Sequence, residues 1–258
     1  KVLEKYSVSI SYETGTEITP RTVEVADAFG LGIDQAKRFT LYDDVQIELN
    51  KDSIVYITGD SGSGKSVLLR WFQKTLGSKA VNIDSIKFPK DQPLIETIGK
   101  TTSEGLELLS RVGLNDAFLF LRKYRELSDG QRYRYRLAKL IECKKQFWLM
   151  DEFCSTLDRD TAKIVAFNLQ KLARKEGRAV LAATTHTDLL GDLNPSVHIH
   201  KRFGKEVAVK YFHRLPGSPC SLVREMRVTE GTTQDWRKLA CFHYRSHRIS
   251  APRNIFCL

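Results

Sequence analysis

The strongest constraint in this sequence is the octapeptide Gly59-Asp60-Ser61-Gly62-Ser63-Gly64-Lys65-Ser66, which fits the pattern G-x-x-x-x-G-K-[ST]. It follows the β-branched apolar run 53–58 (SIVYIT) and precedes a helix predicted at 67–76. Glycines at these positions let the backbone curl so that successive amide groups point inward, and the following helix adds its positive end. The pattern therefore predicts a phosphate-binding loop, in which Lys65 reaches the β- and γ-phosphates of a nucleotide and Ser66 binds Mg²⁺.

A second predicted strand ends in two carboxylates. The apolar run 146–150 (QFWLM) leads directly into Asp151 and Glu152. Two acids after a strand are common in loops, but beside a phosphate-binding loop they indicate nucleotide hydrolysis. Asp151 is then expected to hold Mg²⁺, and Glu152 to polarise the attacking water as a general base.

Strand and helix patterns alternate along the chain, which predicts an α/β fold with a mainly parallel sheet. The run 197–202 and the run 206–212 are predicted to form a closing hairpin around Gly204. The other predicted strands are 6–12, 41–49, 53–58, 80–86, 146–150 and 179–183, and the predicted helices are 67–76, 106–112, 117–122, 128–143 and 161–175.

The segment Leu127-Ser128-Asp129-Gly130-Gln131 resembles the LSGGQ signature of the ABC-type ATPases, with Asp129 in place of the first glycine. It precedes the 146–150 strand by one helix, as in that family. Ser155-Thr156-Leu157-Asp158 resembles the D-loop, His186 the switch histidine and Gln92 the Q-loop glutamine. The resemblance covers roughly residues 1–213.

Two of these matches leave alternatives open. Gln92 stands next to Pro93, so this position is also typical of a simple turn. Phe29 lies where the family places the aromatic residue that stacks on adenine, but Phe39 and Tyr42 compete for that role.

The resemblance implies a P-loop NTPase fold of ABC-ATPase type, with antiparallel N-terminal strands and a reduced helical subdomain. It also implies a head-to-tail homodimer that holds two ATP molecules between the phosphate loop of one copy and the signature of the other. Ser128 and the Gly130 amide would touch the γ-phosphate across that interface, His186 would contact it within one copy, and Asp158 would couple the two sites. The implied nucleotide contacts are Phe29, Gly59, Ser61, Gly62, Ser63, Gly64, Lys65, Ser66, Val67, Ser128, Gly130 and Gln131; the catalytic residues are Glu152, His186, Gln92, Ser128 and Asp158; the Mg²⁺ ligands are Ser66, Gln92 and Asp151.

Charge is concentrated near the C-terminus. The chain carries a net charge of +10, and residues 201–258 alone hold 12 basic and 4 acidic side chains. Such a segment suggests an anionic partner such as nucleic acid, with a solvated surface as the alternative. The five cysteines form no C-x-x-C pair and fit a reducing cytoplasm, and no apolar run is long enough to span a membrane.

The predicted domains are an ATP-binding domain at 1–213, a linker at 214–220 and a basic C-terminal segment at 221–258. A strand with Arg224, Glu225 and Arg227, then a helix start at 232–235 (TTQD), resemble the first elements of GNAT-type acetyltransferases. The glycine-rich acetyl-CoA loop of those enzymes is absent. The alternative is a basic helical extension that packs on the ATPase domain.

The sequence therefore predicts a soluble Mg²⁺-dependent ATPase whose ATP-driven dimerisation serves a nucleic-acid or acyltransfer process. One alternative is an ATP-binding regulatory module that acts through a protein partner. A transporter subunit is less favoured, because only about 60 residues separate Ser66 from Leu127, which leaves little for a membrane-docking subdomain.

Overall fold

The computed structural model describes residues 3–15, 17–32, 37–213, 219–240 and 256–257. The chain forms two compact units, Lys1–Ser218 and Pro219–Leu258. The elements of the first unit are β1 (Glu4–Thr14), α1 (Pro20–Phe29), β2 (Lys37–Leu49), β3 (Ile54–Gly59), α2 (Lys65–Leu76), β4 (Ala80–Asn82), α3 (Thr102–Arg111), α4 (Ala117–Leu121), α5 (Asp129–Glu142), β5 (Phe147–Met150), α6 (Arg159–Glu176), β6 (Ala179–Thr184), α7 (Leu190–Leu193), β7 (Val197–Lys201) and β8 (Val207–Tyr211).

A six-stranded sheet with the order β4-β5-β6-β3-β7-β8 organises the first unit. Neighbouring strands are parallel except β7 and β8, which form the predicted hairpin. Every residue of β3, β5 and β6 is buried, as expected for central strands that are covered on both faces. The predicted α/β fold with a mainly parallel sheet is confirmed.

The two faces of this sheet pack separate hydrophobic layers. Along β5, Trp148 and Met150 contribute to one layer, together with residues of α5 and α6. Phe147 and Leu149 contribute to the other, which includes Phe72 of α2 and residues of β1 and β2. Successive side chains of β5 point to opposite faces of the sheet, so α2 packs on one face and α5 and α6 pack on the other.

The predicted antiparallel N-terminal strands are confirmed as the β1–β2 pair. Its register shifts near Ile10 leave Leu41 without a partner residue, while Tyr42 pairs with Ile10. This irregularity is a β-bulge, and Leu41 and Tyr42 are both buried there. The bulge therefore brings two consecutive side chains of β2 into the core.

One predicted strand is shorter than expected. The strand predicted at 80–86 ends at Asn82, and Ile83–Ser85 forms a 3-10 turn. The Asn82 side chain accepts a hydrogen bond from the Asp84 amide (2.9 Å), which stops the strand by capping the turn. Between this turn and α5 lie the short helices α3 and α4 and two 3-10 turns, Leu94–Thr97 and Tyr124–Glu126.

The second unit contains α8 (Ser221–Glu225), β9 (Thr229–Glu230), α9 (Thr233–Ala240) and β10 (Phe256–Cys257), with β9 and β10 antiparallel. The predicted strand with Arg224 and Glu225 is wrong, because these residues form α8. The helix start predicted around Thr233 is confirmed. Most of the predicted linker and residues 241–255 lie outside the described residues. None of the described helices combines the length and apolar character needed to cross a bilayer.

Candidate active site

Three predicted motifs meet at one edge of the sheet. The strands β5, β6 and β3 are parallel neighbours, so their carboxyl ends lie side by side. β3 ends at Gly59 of the phosphate-binding loop, β5 ends before Asp151, and β6 ends at Thr184, two residues before His186. Ligands of open α/β sheets bind at this edge. The fold therefore brings the loop, the acidic pair and the histidine to the same edge of the sheet.

The loop backbone requires glycine at its first position. Gly59, Gly62 and Gly64 have φ angles of 145°, 77° and 107°, which side-chain-bearing residues rarely adopt. A Cβ added to Gly59 would lie 1.9 Å from the carbonyl oxygen of Lys201. The loop is thus packed tightly against the end of β7, and no larger residue fits there.

Lys65 lies inside the loop. Its side chain is buried, and Nζ donates to the carbonyl oxygens of Gly59 (2.8 Å) and Asp60 (2.7 Å). Burial lowers the pKa of Lys65, while the nearby carboxylates of Glu152 and Asp151 act in the opposite direction. The ammonium group and the acidic pair therefore share one local electrostatic environment, as a phosphate and metal site requires.

The loop also presents polar groups that are not satisfied by the protein. The hydroxyl of Ser63 is buried and has no hydrogen-bond partner. The helix α2 begins after Gly64 without any side chain that caps its first amide groups. Buried polar groups and open helix amides are normally paired. Phosphate oxygens would satisfy both, so the loop fits the predicted nucleotide.

The acidic pair lies on a strained turn. Glu152 has a φ angle of 48°, a left-handed conformation that costs about 1–3 kcal/mol for such a residue. The turn is held by the Phe153 amide, which donates to a carbonyl of β6 (2.7 Å), and by the Cys154 amide, which donates to the Tyr133 hydroxyl (3.2 Å). Asp151 is half-buried and Glu152 is exposed. The turn therefore directs the predicted general base toward solvent.

Tyr56 is a candidate positioning residue that sequence reasoning missed. It is buried in the middle of β3, and its hydroxyl donates to the carbonyl oxygen of His186 (2.5 Å). Burial raises the pKa of Tyr56, so it stays a neutral donor. A tyrosine in the middle of the predicted buried strand 53–58 was the available signal. Tyr56 fixes the backbone of the predicted switch histidine.

Replacing Tyr56 by Phe is expected to lower the free energy of unfolding by about 1–3 kcal/mol, because the half-buried His186 carbonyl loses its donor. The His186 backbone would also shift, and kcat for ATP should fall about 10-fold, since displacements near 1 Å are costly at a reacting centre. Urea unfolding and steady-state ATPase assays measure both effects. Tyr135→Phe is the matched control, since that buried hydroxyl bonds to Thr97. An equal loss of kcat in both variants would contradict the positioning role.

The signature segment forms the start of α5. Ser128 and Gln131 make a reciprocal cap, in which the Gln131 amide donates to Ser128 Oγ (3.3 Å) and the Ser128 amide to Gln131 Oε1 (3.0 Å). A Cβ on Gly130 would lie 3.2 Å from Leu157 Cδ2. The signature therefore lies directly against the predicted D-loop.

Asp129 adds a negative charge where the family signature has its first glycine, and a neighbouring arginine partly offsets that charge. Asp129 Oδ1 is 3.2 Å from the Arg132 guanidinium on the next turn of α5. The other arginines of this helix also have partners, since Arg134 donates to the Gly113 carbonyl (2.8 Å) and Arg136 to Asp84 (2.7 Å). These side chains tie α5 to neighbouring segments.

Asp158 has a local structural role. It precedes α6, and its carboxylate accepts a hydrogen bond from the Thr161 amide (2.8 Å). That hydrogen bond lowers the pKa of Asp158. Capping of α6 explains an aspartate at this position without a partner subunit, and the coupling role stays a prediction.

Gln92 is exposed on the segment that precedes Leu94. The segment is anchored on both sides of Gln92, by an ion pair between Asp91 and Arg125 (2.9 Å) and by the Leu94 amide, which donates to a carbonyl at the end of α4 (2.9 Å). Within residues 37–213, no hydrogen bond joins Gln92 to the acidic pair. Its role as a Mg²⁺ ligand stays a prediction.

The aromatic candidates for adenine differ in exposure. Tyr42 is 1% exposed and donates to the Gly64 carbonyl (3.0 Å), so that alternative is wrong because its ring offers no open face. Phe29 is 76% exposed at the end of α1, and Phe39 is 49% exposed on β2. Phe39 stands two residues before Leu41, whose side chain would contact a Cβ on Gly64 at 3.4 Å. The position of Phe39 on β2, close to the phosphate loop, therefore favours it as the residue that stacks on adenine. The same role for Phe29 stays a prediction.

Comparison with known proteins finds similar ATP-binding import and export proteins. The chain is 27% identical to the cytochrome c biogenesis ATP-binding export protein CcmA of Reclinomonas americana over 178 residues, which covers 58% of this chain and 79% of that protein. It is 27% identical to the methionine import ATP-binding protein MetN of Clostridioides difficile over 184 residues, or 57% of each. No protein-family model matches.

Solved structures agree with these relatives. The dimeric post-hydrolysis structure of the ATP-binding cassette MJ0796, bound to ADP and Pi, has a TM-score of 0.60 at 17% identity and covers 83% of this chain and 100% of that one. The chain has the fold of an ABC-type ATPase. A bacterial Atm1-family ABC exporter with ATP bound has a TM-score of 0.54 at 15% identity, covering 66% of this chain and 36% of that one.

In this ABC-type ATPase fold, the predicted site residues form two separate groups. One comprises the phosphate loop, the acidic pair and His186 at the sheet edge. The other comprises the signature at the start of α5 and the D-loop beside it. Within residues 37–213, no hydrogen bond or ion pair joins the signature to the phosphate loop. The two groups match the two half-sites that the resemblance to the ABC-type ATPases predicts.

Proposed function

We propose that the chain is a Mg²⁺-dependent ATPase that works as a head-to-tail homodimer. The observation that carries this proposal is the meeting of Lys65, the Asp151–Glu152 pair and His186 at one edge of the sheet. A cation, two carboxylates and a histidine beside uncapped helix amides are the groups that phosphoryl transfer to water requires.

The roles of the residues follow from their positions. The amides of residues 59–66 and the Lys65 ammonium would bind the phosphate oxygens of ATP and offset their charge. Glu152 would accept a proton from the attacking water, while His186 would donate to the γ-phosphate. The buried Tyr56 hydroxyl would keep the His186 backbone in place.

The residues at the sheet edge also fit the predicted Mg²⁺. Ser66 lies in the first turn of α2, and Asp151 is half-buried at the end of β5. Hydroxyl and carboxylate oxygens are the ligands that Mg²⁺ prefers, usually with phosphate oxygens completing the shell. When bound, the ion would neutralise charge on the phosphates, and Ser66 and Asp151 would hold it.

The separation of the two half-sites supports the dimer. Ser128 and Gly130 lie at the exposed start of α5, where helix amides favour an anion. A second copy, packed head to tail, would place this helix start against the nucleotide of the first. The similar cassette MJ0796 has been solved as a dimer.

Replacing Ser128 by Arg is expected to block ATP-dependent dimerisation and to leave ATP affinity in the monomer unchanged, because the bulky cation enters only the partner's site. Multi-angle light scattering with Mg-ATP and nucleotide titration measure the two effects. Ser110→Arg, on α3, serves as the matched control. Loss of ATP binding by the Ser128→Arg monomer would contradict a role in trans.

The process that uses ATP is a separate proposal. The basic segment 201–258 motivates coupling to nucleic acid or to an acyltransfer partner in the cytoplasm, but part of that segment lies outside the described residues. The names of CcmA and MetN favour a second candidate, an ATP-hydrolysing subunit that drives a transport partner. ATPase rates with single-stranded DNA, duplex DNA and transfer RNA separate these ideas, since stimulation by one of them, absent in Glu152→Gln, would support nucleic-acid coupling.

A further inference from the structure

A cleft on the β7–β8 side of the sheet carries basic side chains that the nucleotide site does not use. Its volume is about 480 Å³. On the edge strand β8, Lys210 lies directly across from His198, and the small Ala208 lies across from His200. The short side chain of Ala208 leaves space above the His200 ring. The lining residues are His198, His200, Arg202, Glu206, Val207, Ala208 and Lys210.

The two histidines share one hydroxyl group. Thr58 Oγ1 lies 2.8 Å from His198 Nε2 and 3.0 Å from His200 Nδ1. A hydroxyl has a single proton, so when both rings are neutral Thr58 donates to one ring and accepts from the other. The second nitrogens, His198 Nδ1 and His200 Nε2, are left for the cleft. One of them carries a proton and the other does not.

A single added proton changes this pattern. Once either ring becomes an imidazolium, both cleft nitrogens can be N–H donors, and the pair carries a positive charge. Burial lowers the pKa of His198, and the neighbouring His200 and Lys210 lower it further. These surroundings therefore disfavour an added proton on His198, whereas a bound anion would favour it.

The groups around the pair determine which ligand fits. Lys210 faces it from β8, Arg202 from the end of β7, and Glu206 from the turn, with Arg202 and Glu206 3.6 Å apart. Tyr56 of β3 stacks on His198 with a ring separation of 5.7 Å and stays neutral. With one imidazolium present, three cations face one carboxylate, which suits a doubly charged anion.

We propose that this cleft binds a dianionic oxyanion of the phosphate class and takes up one proton when it does so. Lys210, Arg202 and the two histidine N–H groups would donate to its oxygens. The site is separate from the nucleotide loop, although Thr58 immediately precedes Gly59. Inorganic phosphate and a phosphodiester strand both present phosphate oxygens. Each phosphodiester group carries only one negative charge, so the charge of the cleft favours the free dianion.

The test uses the full chain with Lys65→Ala, so that the nucleotide loop does not contribute its own anion binding. Sulfate is the first probe, since it stays a dianion at both pH 6 and pH 8, and any proton uptake then belongs to the protein. Calorimetry in two buffers of different ionisation enthalpy should show about 10-fold tighter binding at pH 6 than at pH 8, with proton uptake. Inorganic phosphate should bind at pH 8 and lose affinity when sulfate is added.

Matched variants locate the site. Lys210→Met should lower sulfate affinity about 10-fold, because a charge-assisted hydrogen bond is lost. Lys205→Met, which removes a nearby exposed lysine outside the cleft, should leave it unchanged. Nitrogen-15 spectra of the His198 and His200 rings should shift on binding and should also show that Lys210→Met keeps the fold.

Three results would overturn the proposal. The first is absence of sulfate binding by the Lys65→Ala chain, and the second is binding that Lys210→Met or pH leaves unchanged. The third is binding of a thymidine oligonucleotide without binding of sulfate, which would assign the cleft to phosphodiesters. None of these results bears on ATP hydrolysis, which is measured with Lys65 intact.

Discussion

Replacing Lys65 by Ala should weaken ATP binding by at least about 100-fold, because charge-assisted hydrogen bonds of about 1.5–3 kcal/mol each are lost. In the structure this ammonium lies inside the loop and donates to two loop carbonyls, so it is already placed where the phosphates would bind. Titration with a fluorescent ATP analogue measures the loss. ATPase activity should fall with it.

The control for this variant is Lys74→Ala, which removes an exposed lysine from the other end of α2. Both variants remove one lysine from α2, so the change in net charge is the same. The comparison therefore separates a general effect of charge from the loss of a contact in the loop. Thermal unfolding of both variants confirms that each is folded. Unchanged ATP affinity in folded Lys65→Ala would refute the phosphate-loop assignment.

Replacing Glu152 by Gln should lower ATP turnover about 10²–10⁴-fold, the range typical of losing a general base. ATP binding should persist, because the loop and Lys65 are untouched, and the unhydrolysed nucleotide should hold two copies together. Light scattering with saturating Mg-ATP should then report twice the monomer mass. Glutamine has nearly the same size and shape as glutamate, so the replacement should keep the left-handed turn at residue 152.

Asp160→Asn is the control, since it removes an exposed carboxylate from the first turn of α6, outside the sheet edge. Its turnover should match that of the original chain. A Glu152→Gln variant that stays monomeric with bound Mg-ATP would contradict the composite site, even if its turnover is lost.

The sequence predicted the parts of the site that depend on contiguous residues. The octapeptide 59–66 and the acids after β5 were identifiable because strand, loop and helix patterns adjoin them. Because the central strands are parallel, their carboxyl ends lie at the same edge of the sheet, and this is where the loop and the acids meet. Contacts between distant segments could not be predicted in this way, such as Tyr56 with His186 or Gly130 with Leu157.

Other errors arose where local side chains override the pattern. The segment 80–86 is predicted to be one strand, but Asn82 caps a turn in its middle. The β2 bulge turns both Leu41 and Tyr42 inward, so Tyr42 could be mistaken for an exposed aromatic. In the second unit, the segment that carries Arg224, Glu225 and Arg227 is predicted to be a strand, although Ser221–Glu225 forms a short helix.

The packing behind the nucleotide loop has a kinetic consequence. Lys201 is fully buried, its ammonium donates to the carbonyls of Arg202 and Gly204 (both 2.6 Å), and its own carbonyl lies against Gly59. These contacts hold the wall of the loop in place in the folded chain. A nucleotide then meets a shaped cradle and loses little of its binding free energy to arranging the backbone. Association should follow a single diffusional step, and the residence time of the nucleotide should depend on the contacts that it breaks when it leaves.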